Sequence, residues 1–129
     1  MPGRHEDWLW QGRRDLEQAR ASMRDGFHEW ACFAAHQAAE KGLKGVYQKH
    51  GADAWGHVLA DLIQALPAEA RPQRGLVDAA RELDKHYIAP RYPNTLPGGA
   101  PGMSYTEGEA QRAIDNAERI LRFCESHIL

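Results

Sequence analysis

Residues 27–50 read FHEWACFAAHQAAEKGLKGVYQKH, and they decide the fold. At 100° per residue, Ala31, Ala34, Ala38 and Gly45 form one face, and Cys32, Ala35, Ala39, Leu43 and Val46 form the adjacent one. The apolar arc therefore covers more than half the circumference. A helix that is apolar over so wide an arc, and mostly in small residues, belongs at a centre where several helices approach closely. Glu29, His36, Glu40 and Lys44 make up the remaining polar stripe, with Phe33 and Gln37 beside it. An aromatic at that place hints at a subunit contact.

Upstream, Trp8, Leu9, Gly12, Leu16, Ala19 and Met23 fall in a band about 100° wide, which predicts an amphipathic helix over about 5–25. Gly26 should end it, since glycine tolerates the left-handed backbone that terminates helices. Downstream, Gly51 to Gly56 reads as a turn. Leu59, Leu62, Ile63 and Leu66 predict a short third helix closed by Pro67. After Pro72 the stripe Leu76, Ala80, Leu83 and Tyr87 predicts a fourth helix reaching to about Ala89, where Pro90 must stop it. Residues 89–105 carry Pro90, Pro93, Pro97 and Pro101 with Gly98, Gly99 and Gly102, a composition that disfavours regular structure. Arg91, Tyr92 and Tyr105 in that stretch argue for an ordered, packed loop. Thr106 and Glu109 match the T-x-x-E capping box, and Ala110, Ala113, Ile114, Ala117, Leu121, Cys124 and Ile128 form the buried stripe of a last helix. Arg112, Asp115, Arg119, Arg122 and Glu125 fall largely on its wet side. With no convincing strand, the expectation is an all-α, up-and-down bundle of four long helices and one short connecting helix, forming a single domain over residues 1–129.

Composition agrees with this and narrows the function. The chain has 129 residues, 43% of them hydrophobic, enough for a core without disulfides or a structural metal. Its 16 basic and 18 acidic residues leave a net charge of -2, which excludes polybasic binding to nucleic acid but allows a local basic patch. The longest apolar run, Ala31 to Ala35, is far short of a membrane span, and the start from Met1 to Asp7 leads into no apolar segment of signal-peptide type. Cys32 and Cys124 form no CxxC pair, so a cytoplasmic location is expected. P-loop, Rossmann, HExxH, nucleophile-elbow and EF-hand patterns are all absent.

Two constellations remain. His28, Cys32 and His36 share one strip of the second helix, a spacing that metals accept, but Cys32 reads more simply as a small packed hydrophobe. No metal and no cofactor are expected. The denser cluster is Arg81, Asp84, Lys85, His86, Tyr87, Arg91, Tyr92 and Asn94. Guanidinium groups fork onto phosphates and tyrosines offer a stacking face, so this mixture suits a nucleotide or RNA. The competing reading is structural, with Tyr87 and Tyr92 packed on the bundle and Asp84 paired to Arg81 or Arg91 to pin the loop.

The run Phe33-Ala-Ala-His-Gln-Ala-Ala-Glu-Lys-Gly-Leu-Lys44, the pair Gly56-His57, the stretch Arg81-Glu-Leu-Asp-Lys-His-Tyr-Ile-Ala-Pro-Arg-Tyr-Pro-Asn94 and the Tyr105-Thr106 lead into the last helix resemble the HEPN domain. The resemblance spans nearly the whole chain. It implies a helical bundle, often a homodimer or higher homo-oligomer, fused to or encoded beside a minimal nucleotidyltransferase. Branches of the family act as metal-independent ribonucleases, toxins or nucleotide-binding partners. The reading that follows is a nucleotide- or nucleic-acid-binding partner of a separate minimal nucleotidyltransferase, in a toxin–antitoxin-like pair, with Tyr87, Arg91, Tyr92 and Asp84 at the ligand. An interaction module without catalysis is a third possibility beside the ribonuclease. The ribonuclease branches carry Arg, four to six residues, then His, which Arg81 and His86 satisfy in spacing. Arg81 would then stabilise charge on phosphorus while His86 moved the proton. Tyr87 follows His86 directly, whereas the nucleotidyltransferase-paired branch has a tyrosine two places after it. Glu82 stands where a polar Asn, Asp or His is common. On a straight helix Arg81 and His86 would also point about 140° apart, so they meet on one substrate only if the helix distorts or a twofold partner supplies the missing half.

Overall fold

The computed structural model describes residues 3–72 and 74–129. Among the described residues six helices follow in order: α1 (His5–Arg24), α2 (His28–Lys49), α3 (Leu59–Gln64), α4 (Leu76–Asp84), α5 (Pro101–Ser104) and α6 (Glu107–Ile128). Single 3-10 turns occur at Ala68–Ala70 and Pro93–Thr95, and no strand occurs among the described residues. The architecture is the all-α bundle expected, with α1, α2, α4 and α6 as its longer members and α3 as the short connector.

Local chemistry explains the ends. Gly26 has φ +88°, and the Phe27 and Gly26 amides donate to the Ser22 and Met23 carbonyls at 2.8 and 3.1 Å, the double closure of a glycine-terminated helix. At the start of α6 the Thr106 hydroxyl accepts from the Glu109 amide while the Glu109 carboxylate accepts from the Thr106 amide, both at 3.1 Å.

The core is α2, packed between α1 and α6. Ala31, Cys32, Ala35, Ala38, Ala39 and Leu43 are fully buried, and so are Leu59, Ala80, Leu83, Ala117 and Ile120 from the helices around them. A methyl group on Gly42 would lie 2.7 Å from Leu121 Cδ2 and 3.1 Å from Cys124 Sγ, so α2 and α6 are closer than an alanine there would allow. α4 packs on α6, and α3 rests on α4 and α2.

The polar stripe of α2 is largely covered: His36 is 0% and Glu40 5% exposed. The segment around His57 folds over them and supplies polar partners in place of water. Two expectations need correction. The fourth helix stops at Asp84, and residues 85–91 continue as turns. Lys85 and His86 donate to Glu82 and Leu83 at 3.3 and 2.8 Å, which tightens the chain out of the helix, so the straight-helix angle between Arg81 and His86 does not apply. Finally, α5 forms inside the Pro/Gly-rich stretch, because Pro101 occupies an early helix position where its missing N–H is no loss.

Candidate functional site

Asp84 sits at the end of α4, and its carboxylate crosses to the first turn of α3. Its oxygens accept from the Leu59 and Ala60 amides at 2.7 and 3.1 Å, capping a helix that has no cap residue of its own. His36 Nε2 lies 3.5 Å from the same carboxylate and donates to the His57 carbonyl at 3.0 Å, while Gln37 donates to His36 Nδ1 at 3.3 Å. His57 Nδ1 donates to Glu40 at 2.9 Å, and Lys44 pairs with the other Glu40 oxygen at 3.3 Å. Asp84 is therefore occupied in holding α3 and the 57–60 segment against α2.

Tyr87 follows in the turn and stacks on His57, with ring centroids 4.8 Å apart and 16° between planes. Arg91 then folds back. Its Nε donates to the Tyr87 carbonyl at 2.9 Å, and its guanidinium carbon lies 4.5 Å from the ring centre of Phe33, 4.8 Å from Tyr87 and 5.4 Å from Tyr92. Such contacts are worth roughly 0.5–2 kcal/mol each, depending on solvation. The two terminal nitrogens of Arg91 make no hydrogen bond or ion pair among the described residues. Tyr92 is 49% exposed and leaves a ring face beside that cation. Phe33, the aromatic beside the α2 polar stripe, is thus partly explained as the floor under Arg91. It also walls a groove of about 540 Å³ with Phe27, Trp30, Ala34 and Lys41.

His86 turns to the opposite side, toward α6. Its Nδ1 is hydrogen-bonded to the Tyr105 hydroxyl at 3.1 Å. Burial holds its imidazole below the ordinary histidine value, against the opposing pull of Glu109. Burial likewise raises the Tyr105 phenol, which stays protonated. A cavity of about 210 Å³ opens beside it, lined by Glu82, Lys85, His86, Glu109, Arg112 and Asn116. Arg81 does not line it. That side chain is 61% exposed and reaches Asp78 at 3.5 Å. Within one chain the structure groups Tyr87, Arg91 and Tyr92, and it does not bring Arg81 to His86. Cys32 is buried, and burial, helped by Glu109 and Glu29 and opposed by Arg112, pushes its thiol up to about 12. Among the described residues no cluster of three or more His, Cys, Asp or Glu could hold a metal.

A family profile for the HEPN domain matches residues 5–127. This chain belongs to the HEPN family. The solved structures it is similar to include TT1696 from Thermus thermophilus, 46% identical over 98% of this chain and 99% of that one, with a TM-score of 0.95. An archaeal HEPN homologue, ST0689, is 40% identical over 98% of each chain with a TM-score of 0.82. A HEPN domain protein from Thermotoga maritima is 40% identical over 93% of this chain and 95% of that one, with a TM-score of 0.76. No curated protein matches the chain.

In this HEPN chain, several of the residues that carry the resemblance turn out to be framework. Leu83 is fully buried, Asp84 caps α3, Pro90 is buried and His57 supports Tyr87. Arg91 and Tyr92 are among the members left facing outward with unused chemistry, as are Lys85 and Asn94. Nothing in the sequence alone groups Arg112 and Asn116 with His86. Their one available signal is the four-residue spacing that puts both on one face of α6.

Proposed function

We propose that this HEPN protein binds a nucleotide or a nucleic-acid strand around Arg91, as the partner of a separate minimal nucleotidyltransferase in a toxin–antitoxin-like pair. The observation that carries the reading is the state of Arg91. Three aromatic rings and the Tyr87 carbonyl immobilise the side chain, yet its terminal nitrogens have no acidic partner among the described residues. A guanidinium fixed in that way is prepared for a phosphate, because the ordering entropy of the side chain is already lost before the ligand arrives. The exposed ring of Tyr92 offers the adjacent base a stacking face. Asp84, engaged with α3, acts in this reading as the support that positions the turn.

The nucleotidyltransferase partner is supported by family membership, as is self-association, since HEPN domains commonly dimerise. A reducing cytoplasm suits the two free, buried thiols, and no described helix is long and apolar enough to cross a membrane. The ribonuclease alternative requires Arg81 and His86 on one phosphate, a pair that a single chain does not assemble.

Binding of a fluorescently labelled adenine nucleotide and of a short single-stranded RNA tests the proposal. Arg91→Ala should weaken binding by roughly 1–3 kcal/mol, about 5- to 150-fold, while Arg81→Ala leaves it within about twofold. Equal affinity in the parent and Arg91→Ala would overturn it. Cleavage of RNA in EDTA that Arg81→Ala and His86→Ala both abolish would install the ribonuclease instead.

A further inference from the structure

The cavity beside His86 is separate from the Arg91 surface. Lys85 and His86 reach it from the turn after α4, and Arg112 and Asn116 reach it from one face of α6. Lys85, Arg112 and Asn116 make no side-chain hydrogen bond or ion pair among the described residues, whereas Gln111, Asp115, Glu118, Arg122 and Glu125 on the same helix each have one. One oxygen of the Glu109 carboxylate on the same wall, Oε1, is engaged by the Thr106 amide and hydroxyl at 3.1 and 3.2 Å. Glu82 is exposed at the rim. The Tyr105 hydroxyl occupies His86 Nδ1, which leaves Nε2 as the remaining polar atom of the imidazole.

From this arrangement we infer that the cavity is a binding site for a compact tetrahedral oxyanion, a phosphate group in chemical class, gripped by Arg112, Lys85, Asn116 and His86. Four side chains with N–H donors converge from two elements, and Lys85, Arg112 and Asn116 make no side-chain bond among the described residues even though the Glu82 and Glu109 carboxylates share the lining. A guanidinium fork, an ammonium and an amide match the several acceptor oxygens of such an ion. Size selects the ligand: about 210 Å³ holds a phosphate group but falls below the roughly 300–1,000 Å³ of sites that enclose larger ligands. Tyr105 is a positioning residue, setting the ring of His86 toward the cavity through Nδ1. The site takes its guanidinium from Arg112 on α6, and Arg81 has no part in it.

Charge linkage gives the site a second signature. The groups facing His86 are Lys85 and Glu82 on its own side, Glu109 and Arg112 from α6, Tyr105 from the preceding loop and His36 from α2. An anion placed among them favours the imidazolium, so affinity for an ion of constant charge should rise as pH falls through the lowered titration range of His86.

Sulfate, whose charge is constant over that range, and inorganic phosphate are the probes, read through the imidazole signals of His86 in NMR spectra of the whole protein. Both ions should shift those signals saturably, and sulfate should bind more tightly at lower pH. Arg112→Gln should weaken sulfate binding about tenfold or more, while Arg119→Gln, Arg81→Gln and Arg91→Ala leave it unchanged. Should Arg112→Gln lose its helical circular dichroism, Lys85→Gln carries the same test at an exposed position. No saturable shift in the parent, or equal affinity in a folded Arg112→Gln or Lys85→Gln protein, overturns the inference. The Arg91 reading stands or falls separately, since its assay follows nucleotide or RNA and a different variant.

Discussion

One carboxylate illustrates how a residue of this site does its work. Asp84 accepts two amides of α3, so its removal leaves two helix-end donors without their acceptor, while the fully buried His36 3.5 Å away keeps the His57 carbonyl. Asp84→Ala should lower stability by about 1–3 kcal/mol, the range for a lost helix cap and its unsatisfied donors. Asp84→Asn keeps one acceptor oxygen and should lose less. Denaturant unfolding of the three proteins checks the order, and hydrogen exchange at the Leu59 and Ala60 amides should accelerate most in Asp84→Ala. Unchanged stability in both variants would overturn this capping role. The chemistry of this residue was legible in the sequence only as one of two alternatives, a pinning carboxylate or a ligand contact. Its actual partners are backbone amides about 25 positions away, and no side-chain pattern encodes those.

Among the elements, close helix contact through glycine makes the clearest demand. Alanine is the better helix former, by up to about 1 kcal/mol per residue, so an exposed glycine in α2 would gain from replacement. Gly42 is buried, and an added methyl would press on Leu121 and Cys124, which are themselves buried in α6. Gly42→Ala should therefore lower the melting temperature by several degrees, a net loss of about 1–3 kcal/mol from overpacking. A rise in melting temperature would show that α6 can step back freely. The small-residue face that makes this contact is what the sequence displays most openly, and α1, α2 and α6 follow from their periodicity nearly to the residue. The fourth helix was overrun because Tyr87 continues the apolar stripe and stays half-buried in the turn, so periodicity holds where helical hydrogen bonding has ended. The His86 cavity was illegible for a related reason. Arg112 is exposed, as its wheel position indicates, but the wheel of one helix does not say which neighbour faces it.

Across the whole molecule, exposed aromatic area is unevenly spread. Phe33, Trp10 and Phe123 all stand off the main apolar stripes of their helices, a placement that suits subunit contacts; Phe123 packs against the core and Phe33 lies beneath Arg91, which leaves Trp10, 63% exposed, as an open one. Phe27 and Trp30, 56% and 47% exposed, join Phe33 in the groove between α1 and α2. A twofold dimer sets the same patch on itself, so a single apolar groove serves both subunits. A stable dimer needs roughly 800 Å² from each partner, to which three large aromatics contribute substantially. Sedimentation equilibrium should accordingly give about twice the 14.5 kDa chain mass, and Trp30→Glu should shift the population toward monomer by placing a charge in a desolvated contact. Because Phe33 both walls the groove and carries Arg91, a second subunit seated there also steadies the guanidinium. Saturating nucleotide should then strengthen association, by the reciprocity of linked equilibria. A parent protein that sediments as a monomer at every concentration, with or without nucleotide, would assign the groove to another occupant and leave Arg91 acting alone.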